Sequence, residues 1–404
     1  MEDALSAVHT KPGLTQRLFY ESLKDFSECF LQVRFGGVMR SFGDPSNPLR
    51  AELVVHRERF FPRAVLGGDI GVGEAYMDGD WSSSDVVAVV RAAIRNMPRL
   101  DARNRVISMA TRLLNYARHR RRDNTETGSR KNIASHYDLG NDFYQLFLDS
   151  SMAYSCALYS DPEDALEVAQ NRKFETICRK LDLQPGDRVI EIGTGWGGFA
   201  TYVKRHYGCR ITTTTISRKQ HQFSAKLFAS LPGSPVELLF EDYRNLRGSY
   251  DKLVSIEMFE AVGYKHYDEF FAVCERLLKP NGRMLLQTIT MNEQHFRQYL
   301  QQSDWIKKYI FPGAELASVA EMLRSVARVS SLRLVGAEDI GEHYALTLSE
   351  WRRRFLSRLP EVRRLQFDER FIRMWNFYLA YCEGGFLEHY IGDMQLVLDK
   401  PSAC

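Results

Sequence analysis

Four glycines crowd into six positions, Gly193, Gly195, Gly197 and Gly198, directly after the apolar run "RVIEI". Backbone this short of side chains allows a tight turn, lets a ligand lie close, and leaves free amides at a helix start to face an anion. Gly193, Gly195 and Gly198 satisfy GxGxxG, so a dinucleotide enzyme is one reading. That reading asks for an Asp or Glu near the end of the second strand, about 20 residues on, to hold a ribose. The stretch "TTTTIS" offers Thr215 and Ser217 there but no carboxylate. Glu191, just before the glycines, is placed to hold a cationic amine, and a nucleoside carrying an amino acid suits these pieces. Other nucleotides stay open.

The elements that must position this loop read as strands alternating with helices. "DRVIEIG" (187–193), "CRITTTTIS" (209–217), "VELLFED" (236–242), "DKLVSIEMF" (251–259) and "GRMLLQTIT" (282–290) are apolar, β-branched runs of strand length. Between them lie amphipathic stretches such as 267–282, where Tyr267, Phe270, Phe271, Cys274, Leu277 and Leu278 share one face before Lys-Pro-Asn-Gly ends the helix. Such alternation predicts a parallel sheet covered on both faces. Two arginine-rich helices near 344–359 and 367–391 precede a last strand at 393–400. Upstream, residues 1–100 read as a small mixed domain. There 54–68 gives strand and helix pieces, 68–81 reads as loop, and "SSSDVVAVVRAAIRNM" (82–97) is a capped helix. Residues 101–131 form a basic helix and linker, and 132–404 the larger domain.

At 404 residues and 44% hydrophobic, the chain has ample material for a core, which excludes global disorder. The net charge of +3 hides a clustered distribution, with arginines crowding 103–122 and 351–364. Those clusters suit either solvated helix faces or an anionic surface. Seven cysteines without a CxxC pair fit a reducing compartment and argue against a metal site. "MEDALSAVHT" lacks a signal pattern, and no apolar run reaches the roughly 20 residues of a spanning helix. The expectation is a cytoplasmic protein with at most peripheral contact to the inner membrane face.

Seven segments occur in order: "ASHYDLGNDFYQLFLD" (134–149), "MAYSCALYSDPED" (152–164), "EIGTGWGGFA" (191–200), "TISRKQ" (215–220), "EDYRNL" (241–246), "EMFEAVG" (257–263) and "KYIFPG" (308–313). Together they resemble the cyclopropane-fatty-acyl-phospholipid synthase family of S-adenosylmethionine-dependent methyltransferases. The resemblance covers about 130–400, and "LGGDIGVGEAYMDGDW" is similar to that family's N-terminal lipid-handling domain. It implies an α/β fold: a Rossmann-like seven-stranded methyltransferase sheet with helices on both faces, plus a small N-terminal mixed α/β domain. It also implies methyl transfer to the double bond of an unsaturated phospholipid acyl chain, giving a cyclopropane. Phospholipid membrane is the expected partner, nucleic acid is not, and a homodimer is left open.

Carried over by motif, the resemblance implies cofactor contacts from Tyr154, Ser155, Gly193, Gly195, Thr215, Ile216, Gln220, Asp242 and Tyr243. In the family a bound bicarbonate ion serves as base, held by a Cys, a Glu, a His, an Ile backbone group and a Tyr. Cys156, Glu260, Ile289 and Tyr344 match those positions, while Gln287 stands where the family has histidine. A glutamine amide donates a hydrogen bond but shuttles no proton. This departure leaves ring and methyl- or methylene-branched products open. His136, Tyr137 and Tyr309 are candidate substrate contacts, with His136 equally suited to a structural tie. The reaction passes through a carbocation that must be kept from water, and aromatic faces stabilise such a cation. Phe143, Tyr144, Phe147 and Tyr159, with Tyr137 and Tyr309, would suit an acyl tunnel as a set. An amine N-methyltransferase and a non-enzymatic basic binding protein are the competing readings.

Overall fold

In the computed structural model, residues 13–97, 139–233 and 235–402 are described. The chain divides into two units, Met1–Leu113 and Leu114–Cys404. His136, Tyr137 and the basic segment 101–131 lie outside the described residues.

In the first unit, β1 (Phe30–Phe35) and β2 (Val38–Gly43) form an antiparallel hairpin, and β3 (Arg50–Val55) runs parallel to β1. Gly36 and Gly37, both with positive φ (57° and 78°), make the two-residue turn whose twist matches its strands. β4 (Trp81–Ser82) completes the order β2-β1-β3-β4. Leu31 and Val33 alternate with exposed or half-buried neighbours, as do Leu53 and Val55, and so supply the core face. The segment 68–77, read above as loop, is helical. One helix, Phe60–Met77, runs through it with a break at Gly68, whose backbone (φ 57°, ψ −137°) suits glycine alone. Asp85 caps the helix Val86–Arg95 by accepting from the Ala88 amide, as expected.

The second unit holds seven strands: β5 (Arg188–Ile192), β6 (Arg210–Thr214), β7 (Glu237–Leu239), β8 (Tyr250–Ile256), β9 (Leu278–Met291), β10 (Arg333–Asp339) and β11 (Ile391–Asp399). Their order is β10-β11-β9-β8-β5-β6-β7. The sheet is not wholly parallel. β11 runs antiparallel to both β9 and β10, wedged between them. Successive side chains alternate between two cores: Ile190, Leu253, Leu286 and Leu396 enter one, Val189, Val254, Leu285 and Val397 the other. Both faces are therefore covered, with helix Tyr267–Leu277 against the first core and helices Leu166–Leu181 and Gly198–His206 against the second. β5, β6, β8 and β9 end at one edge of this sheet, and the reversed β11 begins there, with Asp393 opposite Ile289. Ligands of open α/β sheets bind at this edge.

Candidate active site

The glycine turn leaves β5 at this edge. Gly193, Gly195 and Gly197 all have positive φ (107°, 53° and 86°), which L side chains resist. A methyl group on Gly197 would meet the Phe228 ring at 2.8 Å, and one on Gly193 would meet Met258 at 3.0 Å. At Gly195 nothing lies within 4 Å, so the space above that residue is open. Glu191 is buried beneath, accepting a 2.6 Å bond from Thr213 Oγ1, and burial pushes its carboxyl up to about 8.

The other residues carried over as cofactor contacts lie just past β6 and β7 and in the segment before helix Leu166–Leu181. Thr215 donates to Gln220 Oε1 (2.9 Å) and accepts from the Ser217 amide, with Ile216 half-buried between them. Asp242 follows β7, its carboxylate buried and held by the Arg244 amide and guanidinium. The Tyr243 ring packs on Phe270 in the core, so a cofactor contact from that position would come from its backbone. Tyr154 is fixed by its hydroxyl against that of Tyr378 (2.8 Å) and by the Trp351 ring. Ser155 Oγ accepts from the fully buried Lys173 at 2.6 Å.

Directly after β8 comes Glu257, which sequence reasoning did not single out. Its backbone is left-handed (φ 47°), a costly conformation for a side chain of this kind. Its amide still donates to the Gln287 carbonyl, which extends the β8–β9 pairing. Three donors converge on its carboxylate: Cys156 N–H (2.7 Å) and Gln287 Nε2 (2.9 Å) on Oε1, and the Tyr344 hydroxyl (2.6 Å) on Oε2. Glu260, one turn later, accepts from Ile289 N–H (2.5 Å) and Thr288 Oγ1 (2.9 Å) through Oε1, while its buried Oε2 has no partner. Asp393, fully buried on β11, accepts from Gln287 Nε2 at 3.1 Å and leaves Oδ1 without a partner.

Electrostatics couple these three carboxyl groups. Burial and the charge of Glu257 push Glu260 up to about 7. Burial and the same charge raise Asp393 strongly. Burial raises Glu257 as well, but its three donors and Lys173 pull it back down, so where the pair resists double ionisation the negative charge is assigned to Glu257. Lys173, whose own value burial lowers, lies close enough to offset part of that charge. Glu257 and Glu260 retain some accessible surface although protein encloses them, so they line a recess rather than fill the core. Cys156 is fully buried, its thiol donating to the Ala157 and Ile340 carbonyls, and burial raises it far from the thiolate range. What it presents to Glu257 is its backbone amide.

Cys156, Glu260, Gln287, Ile289 and Tyr344 thus meet at one place, with Glu257 and Asp393 added. The Tyr309 ring packs against Trp305. The tunnel expectation needs correction: Phe143, Tyr144 and Phe147 have no exposed surface and pack on one another and on Trp375. They are core residues. The arginines of 351–364 fit the solvated-face alternative, since Arg352, Arg353, Arg354, Arg358, Arg363 and Arg364 each face a carboxylate of this chain.

The family described as mycolic acid cyclopropane synthetase matches residues 124–396. The chain belongs to this family. A relative from Escherichia coli, cyclopropane-fatty-acyl-phospholipid synthase, is 38% identical over 358 residues, 87% of this chain and 88% of that one. Tuberculostearic acid methyltransferase UfaA1 of Mycobacterium tuberculosis is 37% identical over 371 residues, 90% of this chain and 86% of its own. Among solved structures, the cyclopropane synthase MmaA2 from Mycobacterium tuberculosis superposes with a TM-score of 0.63 at 30% identity, covering 67% of this chain and 98% of that one. Mycolic acid cyclopropane synthase CmaA1, complexed with SAH and CTAB, matches with the same TM-score and coverage at 29% identity. As a member of this family, the chain is an S-adenosylmethionine-dependent methyltransferase. Among the described residues no cluster of side chains could hold a metal ion, and no helix is long and apolar enough to cross a membrane.

Proposed function

We propose that this methyltransferase modifies the double bond of an unsaturated phospholipid acyl chain and closes a cyclopropane ring. The observation that carries the reading is the juxtaposition, at one sheet edge, of an open glycine turn and an enclosed carboxylate recess. S-adenosylmethionine supplies, when bound, an electrophilic methyl on a positively charged sulfur. The open space over Gly195 and the bare turn suit close approach of its amino-acid end, and Glu191, protonated below about 8 in the free protein, would ionise against the ammonium. Thr215, Ile216, Gln220, Asp242 and the Tyr243 backbone would flank the nucleoside, with Tyr154 and Ser155 closing the side nearest the recess.

The alkene gains a methyl on one carbon and leaves the other cationic. Negative charge at Glu257, backed by Glu260, stabilises that cation in a low-dielectric setting where each contact counts for more than in water. Loss of a proton from the added methyl then closes the ring. The N-terminal unit is assigned to lipid handling, and contact with the membrane is peripheral.

A second reading, a methyl- or methylene-branched acyl product, is favoured by the 37% identity to tuberculostearic acid methyltransferase UfaA1. Lipid mass spectrometry on cells expressing the chain tests both. Acyl chains one CH2 heavier are expected, resistant to hydrogenation as a ring would be. A product that hydrogenates to a branched chain would establish the second reading, and unchanged lipids would remove both.

A further inference from the structure

The bicarbonate expected from the family does not fit the residues present. Its matched donors are Cys156, the Gln287 amide, Ile289 N–H and the Tyr344 hydroxyl. Cys156 N–H, Gln287 and Tyr344 already bind Glu257, and Ile289 N–H already binds Glu260. A further anion would displace a carboxylate from its donors and stand among three carboxyl groups, Glu257, Glu260 and Asp393. Burying a second negative charge beside that of Glu257 is costly.

We propose that Glu257 is the base of this enzyme, a built-in carboxylate that takes the place of bicarbonate. The proposal rests on the methyl-transfer reading above and names the group that completes it. Glu257 presents the same chemical unit, a planar three-atom carboxylate, to the donors that would otherwise hold the ion. Just past β8 its backbone is left-handed, an unfavourable conformation held in place by the bond from its amide to the Gln287 carbonyl.

Gln287 completes the arrangement. Lys180 has only donors and bonds Gln395 Oε1 at 2.6 Å, so the Gln395 amide nitrogen must point to Gln287 Oε1, 2.9 Å away. The nitrogen of Gln287 is thereby turned to both Glu257 and Asp393. A neutral, donor-only contact there keeps Glu257 ionised without supplying a competing base. Gln287 is a positioning residue.

The step balances within the site. The Glu257 carboxylate takes a proton from the added methyl, and the electron pair of that C–H bond forms the last side of the ring. The cationic carbon is neutralised, and Glu257 is left as a neutral carboxylic acid that returns its proton to water after product leaves. Little basicity is needed, since a carbon next to a cationic centre gives up its proton readily. A fixed anion within reach is the requirement.

The test uses the full chain, vesicles of a monounsaturated phosphatidylglycerol and S-adenosylmethionine in buffer stripped of carbon dioxide. Wild-type turnover is expected to be the same with and without added bicarbonate. Glu257→Gln is expected to lose about a hundredfold to ten-thousandfold in turnover while S-adenosylmethionine binding by calorimetry persists. Glu257→Gly relieves the left-handed backbone, so it retains the fold; it is expected to be inactive without bicarbonate and to regain turnover when the ion is added. Wild-type turnover that depends on bicarbonate, or full turnover by either variant in stripped buffer, would overturn the proposal. Absence of any methylated lipid from the wild type in either buffer would instead remove the methyl-transfer reading, and this inference with it.

Discussion

Gln287 and Gln395 stand opposite each other on β9 and β11, and the amide of Gln395 donates to that of Gln287 over 2.9 Å. This pairing turns a side chain that cannot titrate into a fixed donor toward two carboxyl groups. Gln287→Glu would put an acceptor where a donor is needed and add a fourth carboxyl group. It should lower stability in urea unfolding by about 1–3 kcal/mol and abolish turnover. Gln287→His, which still offers a donor, should retain activity.

Glu260 keeps one unpaired oxygen on the recess, and its carboxyl sits near 7. Glu260→Gln preserves the acceptor for Ile289 and Thr288 but removes the charge. Turnover should fall by about a hundredfold with cofactor affinity unchanged in calorimetry. In the wild type, kcat/KM should fall on acidification through about pH 7, a limb that belongs to the coupled carboxyl cluster rather than to one residue.

Glu191 gives a stability signature distinct from catalysis. Its carboxyl is raised from 4.5 to about 8 by burial, so between those values the folded chain holds a proton that the unfolded chain has lost. Its contribution to stability is therefore present at low pH and is lost as pH rises through this window. The cofactor-free protein should melt at a lower temperature at pH 8 than at pH 6, and Glu191→Gln should reduce that difference.

Two glycines of one turn should separate cofactor binding from folding. An alanine methyl at Gly197 meets Phe228 at 2.8 Å and a backbone at φ 86°, so Gly197→Ala should cost on the order of 1–3 kcal/mol in stability. At Gly195 the methyl enters open space, so Gly195→Ala should cost only the backbone strain of about 1–2 kcal/mol. It should nonetheless weaken S-adenosylmethionine binding more than Gly197→Ala does, as measured by calorimetry on both variants.

Arg353 and Arg364 are exposed yet face Glu350 and Glu361. Replacing both with Gln should leave binding to anionic vesicles unchanged, as read by sedimentation at low salt.

The loop and the ordered motifs were legible because glycine spacing, strand-length apolar runs and helix stops are local signals. β10 was not. Its Leu334 and Val335 are exposed on an edge strand, so it carries no buried alternation to read. The reversal of β11 was equally hidden, since "DMQLVLDK" is a buried strand whichever way it runs. Helix Phe60–Met77 was obscured by glycines at 67, 68, 71 and 73, only one of which interrupts it. Glu257 stood inside a quoted motif, three residues before Glu260. Its position as an acid at the carboxyl end of a buried strand was the available signal. That it shares donors with the matched residues depends on β9 and β11 lying side by side, which no local pattern encodes.

The late strand β11 has a consequence for synthesis. β10 has no sheet neighbour other than β11, and Asp393 and Gln395 arrive only with it. While the ribosome is still translating residues before 391, β9 is an uncovered rim and β10 has nothing to pair with. Catalytic competence is therefore acquired in one late event, when the last decade of the chain's fourth hundred slots between two strands already made.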